Sequence, residues 1–326
     1  MAVAARDWEF PAEVRPNVKD VAFDLDTALS AVVHLRAEIP EDAFTASILG
    51  TERDGNGVVI REDGLVLTIG YLVSEAETVW LTTSKGGASP AHVLAYDQAT
   101  GLGLVQALGR LGVPALPRGR SKSCSVGDLV IMAGHGGQRH ALQARIASKR
   151  EFAGYWEYVL DEAIFTLPAH PQWGGAALIG RDGRLLGIGS LLVQGVAESG
   201  EQVDANMIVP IDLLEPIFDD LLRFGRSNRP PRPWLGMYTT ETNEGPTVVS
   251  LARNGPAHRA QLRPGDRVVA VAGSRIDGLA DFYRKIWALG PAGTEVPLTL
   301  MREGDTFDVQ IGSANRDDFL KKPHLH

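Results

Sequence analysis

His170-Pro171-Gln172-Trp173-Gly174-Gly175-Ala176-Ala177-Leu178 is the stretch on which the reading of this chain turns. Ile179-Gly180-Arg181-Asp182-Gly183-Arg184-Leu185-Leu186-Gly187-Ile188 follows it directly. An apolar run, a Gly-bounded turn and a second apolar run predict a β-hairpin.

The same texture extends outward in both directions. Gly57-Val58-Val59-Ile60, the turn Glu62-Asp63-Gly64 and Leu65-Val66-Leu67-Thr68 predict another hairpin, with an Asp-Gly turn signal. Residues 31–36 read as a strand or helical turn. Short strands are expected at 78–83, 91–96, 102–108, 129–133, 143–149, 156–160, 176–179, 184–191 and 207–209. Turn signals at roughly ten-residue spacing, with few helix-period stretches, point to a sandwich or barrel. Pro210-Ile211-Asp212 opens an amphipathic helix with Leu213, Leu214, Ile217, Phe218, Leu221 and Leu222 on one face. Arg226-Ser227-Asn228-Arg229-Pro230-Pro231-Arg232-Pro233 is basic and Pro-rich, and reads as a linker.

With 326 residues the chain is expected to form two or three domains. Apolar residues make up 44%, enough for real cores, and the 36 glycines suit a turn-rich β protein. A net charge of −8 argues against a general nucleic-acid binder or a surface for anionic lipid. Cys124 is the sole cysteine, so no intramolecular disulfide can form, and it reads as a small buried hydrophobe. No run of about 18 apolar residues exists, so no membrane insertion is expected. Residues 1–20 lack a basic start followed by an apolar core, which by itself favours a cytoplasmic location. No His/Cys/Asp/Glu set has metal-ligand spacing. Neither a metal nor a cofactor is expected.

The 170–178 stretch resembles the nucleophile segment of trypsin-like proteases, Gly-Asn/Asp-Ser-Gly-Gly-Pro-Leu-Val. Gly55-Asn56-Gly57-Val58-Val59-Ile60 and Asp63-Gly64-Leu65-Val66-Leu67-Thr68-Ile69-Gly70-Tyr71-Leu72-Val73 resemble the first hairpin of the HtrA/Deg family, and Tyr96-Asp97-Gln98-Ala99-Thr100-Gly101-Leu102-Gly103-Leu104-Val105 resembles its next motif. The likeness runs from residue 27 to 315. It implies a mostly β protein, a chymotrypsin-like double β-barrel followed by a PDZ domain. The implied division is an N-terminal arm (1–25), a barrel domain (26–225), a linker (226–233), a PDZ domain (234–315) and a C-terminal tail (316–326).

In this resemblance Tyr71 stands at the general-base histidine, Gly101 at the orienting aspartate, Trp173 at the nucleophilic serine and Pro171 at an oxyanion glycine. A phenol with pKa about 10 is a poor base at neutral pH. Gly101 has no side chain, Trp has no nucleophilic atom, and Pro has no N–H to donate. The expectation is therefore a degenerate site with no catalytic residue, in a protein that is not an enzyme. Asp97 reads as a turn former. His135, His140 and His170 are candidates for a relocated base, with His170 expected as a solvated loop histidine.

Pro233-Trp234-Leu235-Gly236-Met237-Tyr238 resembles the carboxylate-binding loop and groove strand of bacterial PDZ domains. The stretch from Gly255 to Gly273 follows the family pattern, departing at Gln261 for Gly and Ala272 for Asn. A helix is expected over 279–289 with Phe282, Ile286 and Leu289 inward, then a hairpin from 297–302 and 307–311. The resemblance implies a peptide-binding groove made by Trp234, Leu235, Gly236, Met237, Tyr238, Phe282 and Ile286. An extended peptide would add to the edge strand while loop N–H groups take its carboxylate. An occupied groove, or one that only braces the barrels, is the other reading. The expected function is a proteolytically inactive HtrA-like scaffold or regulator. The alternatives are a serine endopeptidase of protein quality control and a structural subunit of mixed HtrA oligomers. Expected partners are peptides or protein C-termini, copies of the chain in a trimer, or an active homologue, and no nucleic acid. Trp8 and Phe10 are candidates for an oligomer contact. The resemblance implies a periplasmic location.

Overall fold

The computed structural model describes residues 8–196 and 202–321. Residues 1–7 of the expected arm and 322–326 of the expected tail lie outside the described residues. Helix α1 (Leu25–Ser30), capped by the Asp24 carboxylate on Thr27 N–H, leads into the first barrel. That barrel contains β1 (Val32–Glu38), β2 (Glu52–Val59), β3 (Leu65–Ile69), β4 (Thr78–Thr82), β5 (Ala88–Tyr96) and β6 (Leu102–Ala107), with the short α2 (Ala46–Leu49) between β1 and β2. It closes in the order β1-β2-β3-β6-β5-β4. In β1, Val33, Leu35 and Ala37 are buried while His34, Arg36 and Glu38 are not, the period-two signature of a half-covered strand.

The second barrel contains β7 (Leu129–Ala133), β8 (Ala141–Gly154), β9 (Tyr158–Leu167), β10 (Ala177–Ile179), β11 (Leu185–Val196) and β12 (Gln202–Pro210). It closes in the order β10-β11-β12-β9-β8-β7 around Met132, Leu142, Ile146, Ile164, Leu178 and Ile208. The hairpin β10–β11, with Ala177 opposite Ile188, is the one expected from the 170–188 stretch. The helix expected from Pro210 is instead two 3₁₀ turns, Ile211–Leu213 and Glu215–Ile217, followed by α3 (Phe218–Phe224). Pro216 has no N–H for the α ladder and its ring opposes a continuous helix, so regular α geometry starts only after it. Leu214, Ile217 and Leu221 still turn to the core.

Phe10 N–H bonds to the Arg139 carbonyl at 2.9 Å, and the Trp8 ring lies edge-on to His140 at 4.7 Å. The described part of the expected arm thus packs on its own chain.

Two compact units divide the chain. The barrels make the first. The second comprises Glu151–Asp161 and Asn228–Leu320, so the tip of the β8–β9 hairpin departs from the expected 26–225 boundary. Its sheet, built from β13 (Met237–Thr242), β14 (Gly245–Leu251), β15 (Arg267–Val271), β17 (Glu295–Arg302) and β18 (Asp305–Gly312), runs β13-β14-β15-β17-β18, with β16 (Ser274–Arg275) against β15. Helix α4 (Pro256–Arg259) is one turn, and α5 (Leu279–Ala288) buries Leu279, Phe282, Tyr283 and Ile286 at helical spacing. They pack on Leu235, Met237, Val248, Leu298 and Leu300. Gln261 and Ala272 hold left-handed backbone, at φ 61° and 47°. Those are the positions where the family pattern has Gly and Asn, the residues that tolerate this region best.

Candidate functional site

The first unit carries a cavity of about 720 Å³ lined among others by His34, Asp54, Asn56, Tyr71, His135 and Trp173. Tyr71 sits in a 3₁₀ turn, Gly70–Leu72, directly after β3. Its hydroxyl donates to the Ser190 carbonyl at 2.8 Å. The Trp173 side chain lines the same cavity as the phenol. Burial pushes the phenol well above its ordinary range, so Tyr71 keeps its proton. Gly101 carries φ 78°, and its carbonyl accepts the Gly70 N–H at 2.7 Å, immediately before Tyr71. The Asp97 carboxylate accepts Thr100 N–H and Oγ1–H, both at 2.8 Å, which makes it the cap of this turn. Tyr71, Pro171 and Trp173 line one cavity; Gly101 does not line it, and touches it only through its bond to Gly70.

The 170–174 loop is pinned from two sides. Asn56 on β2 is buried, donates Nδ2–H to the Gln172 and Gly174 carbonyls at 3.0 and 3.1 Å, and accepts the His135 N–H at 2.8 Å. His170 is fully buried rather than solvated, which corrects that expectation. Its Nδ1 accepts Gln172 N–H at 3.0 Å and its Nε2 lies 2.9 Å from the His140 carbonyl, which needs the proton on Nε2. Burial lowers its pKa to about 4, so the ring is neutral and acts as a brace.

Sequence reasoning missed His34, which meets the Asp54 carboxylate through Nε2 at 3.0 Å on the cavity wall. The signal available was their place on neighbouring strands β1 and β2, where pairing of Arg36 with Asp54 brings His34 within reach. The His135 ring lies 5.7 Å from that of His34, and burial lowers its pKa. The cavity thus holds an imidazole with a carboxylate partner.

In the second unit the N–H groups of Leu235, Gly236 and Met237 converge. All three donate to the Glu157 carboxylate: Leu235 at 3.1 and 3.0 Å to the two oxygens, Gly236 at 2.7 Å and Met237 at 3.0 Å. Gly236 has φ 73°, and a Cβ there would stand 3.0 Å from Ala252 and 3.1 Å from the Trp234 ring. Any larger residue would therefore strain the fold as well as the loop. Phe282 and Ile286 are fully buried beside Leu235 and Met237. Trp234 packs on Phe319 at 4.8 Å, and the Tyr238 ring lies 6.0 Å from Tyr155. Burial pushes the Glu157 carboxyl up to about 7, against the three amides, which hold it down.

The trypsin-like peptidase domain pattern matches residues 55–188, and the PDZ domain pattern matches 233–312. The chain is similar to the "Probable periplasmic serine endoprotease DegP-like" of Chlamydia pneumoniae, at 24% identity over 79% of this chain and 54% of the relative. The protein of the same name from Pseudomonas fulva is 26% identical over 81% of this chain and 57% of the relative. The chain therefore spans little more than half the length of these curated relatives. Among solved structures, "HtrA-type protease AlgW with tripeptide" superposes with a TM-score of 0.53 at 20% identity, covering 95% of this chain and 99% of that one, a likeness of fold. Among the described residues no helix is long and apolar enough to cross a membrane.

The relatives are named serine endoproteases, and this overturns the expectation that the chain is not an enzyme. The physical reason lies in what Tyr71, Gly101 and Trp173 can establish. They speak only for the side chains at three positions, and other groups able to carry a proton line the cavity. The fold of this chain is a trypsin-like domain followed by a PDZ domain.

Proposed function

We propose that this protein is an HtrA-like endopeptidase of protein quality control, whose PDZ domain takes hold of polypeptides ending in a free carboxylate. The observation that supports this reading is the order of its two domains, shared over about four fifths of the chain with proteins named periplasmic serine endoproteases. The periplasm, named for those relatives, is the compartment that goes with this reading. Peptide hydrolysis needs a base with a fixed tautomer that takes a proton from the attacking group and returns it to the leaving amine. His34, held by Asp54, is the group in the cavity suited to that role. Leu235, Gly236 and Met237 are the carboxylate-receiving groups, with Phe282 and Ile286 behind them.

The test is turnover of fluorescein-labelled casein by the full chain, with and without added carboxylate-terminated peptide. Fluorophosphonate labelling, read by mass spectrometry, would locate any reactive hydroxyl. Turnover is expected, and His34→Ala should lower it about tenfold or more, on the usual scale for a general base. No turnover under either condition by a folded chain would overturn the endopeptidase reading.

A further inference from the structure

The tip of the β8–β9 hairpin packs within the second unit, against Leu235, Met237 and α5. A peptide added to a PDZ edge supplies a carboxylate for the loop amides, backbone bonds to the edge strand, and an apolar side chain for the pocket. The hairpin supplies all three. Glu157 takes the Leu235, Gly236 and Met237 amides. Thr239 N–H on β13 donates to the Tyr155 carbonyl at 2.8 Å. Val159, at 8% exposure, joins the cluster of Leu235, Met237, Phe282 and Ile286.

The tip is also built to present these groups. Glu157 holds φ 61°, a left-handed backbone that is strained for a residue with a Cβ. Trp156 stacks on Tyr158 with ring centroids 5.4 Å apart, and Tyr155 meets Trp156 edge-on at 5.1 Å. Outside the groove, Arg284 on α5 reaches Glu151 and Asp161, one on each side of the tip, both at 2.5 Å. These pairs are exposed, and exposed pairs hold a segment only weakly.

We propose that residues 151–161 are an internal, displaceable ligand of the PDZ groove, with the Glu157 side-chain carboxylate standing where the α-carboxylate of a polypeptide C-terminus is received. This rests on the reading of Leu235–Met237 as a carboxylate receptor. A free C-terminus binds by expelling the tip, so its apparent affinity is reduced by the fraction of molecules in which the tip is seated.

The experiment uses the full chain, as the native sequence and as Glu157→Ala. The probe is a fluorescein-labelled decapeptide pool with randomised interior and a C-terminal valine, as the free acid and as the amide. Amide exchange over 235–239 is measured in parallel. Glu157→Ala should bind the free acid about tenfold or more tighter than the native chain, ignore the amide, and exchange its 235–237 amides faster. Equal affinity with unchanged exchange would overturn the internal ligand and leave the receptor reading standing. Faster exchange in Glu157→Ala with no binding of either probe would keep the tip as occupant and overturn the receptor reading, and with it displacement by peptides. If Glu157→Ala fails to fold, Arg284→Ala releases Glu151 and Asp161 without touching the groove. A several-fold gain in free-acid affinity is then expected, and unchanged affinity and exchange would overturn the proposal.

Discussion

The Tyr71 phenol, in the turn after β3, donates to the Ser190 carbonyl on β11 at 2.8 Å. Tyr71→Phe deletes the hydroxyl and leaves the buried Ser190 carbonyl without that donor. A cost of about 1–3 kcal/mol is expected, the penalty for an unmade buried hydrogen bond. Urea denaturation with an unchanged m-value checks this, and a midpoint equal to the native chain's would refute the bond.

His170 makes stability depend on pH. Its pKa falls from the ordinary 6.5 to about 4 in the fold, so the unfolded chain binds more protons between those values. Its contribution is complete above pH 6.5 and is lost as pH falls toward 4, amounting to about 3 kcal/mol. His170→Gln should flatten the stability profile across that window, measured as denaturation midpoints at pH 7 and pH 4.5.

Glu157 runs the opposite way. Its carboxyl is raised from 4.5 to about 7 by burial, with Arg316 the cation that opposes the rise. Tyr238 and Tyr283, the other titratable groups that sense it, are themselves pushed up and stay neutral. A raised carboxyl favours the seated tip fully below pH 4.5 and progressively less as pH rises through 7. Protection of the 235–237 amides, corrected for intrinsic exchange, should therefore be greater at pH 5 than at pH 8. Equal protection at both would show that the carboxyl is not shifted.

Ala272 offers a stabilising change. It holds φ 47°, so Ala272→Gly relieves left-handed strain of about 1–2 kcal/mol and loses part of that to backbone entropy. A net gain of about 0.5–1 kcal/mol is expected, read as a rise in Tm. A fall would mean that the Ala272 methyl makes contacts worth more than the strain.

The barrels are legible because short apolar runs are bounded by turns that carry Asp-Gly signals, as at Asp63-Gly64 and Asp182-Gly183. The helix after Pro210 was overread, since spacing alone does not register the N–H that Pro216 lacks. That Tyr71 and Trp173 line one cavity is the relation that motif order leads one to expect. The role of Asn56 is not, because its partners, the Gln172 and Gly174 carbonyls, are backbone groups with no sequence identity of their own. Nor is the fate of the β8–β9 tip. Its strand periodicity fits a barrel hairpin, and the one local hint was Phe152 and Tyr155-Trp156-Glu157-Tyr158, more aromatic surface than a solvent-facing turn needs.

The partner of the Leu235–Met237 amides is written into the same polypeptide. Dilution cannot remove it, and its local concentration is set by the tether, on the order of millimolar for a short connection. If the proposal holds, a free C-terminus must outcompete that constant rival, so the concentration of chain ends needed for half-occupancy is raised while the response keeps its simple saturating form. A single backbone nick within the tip would lower that concentration permanently.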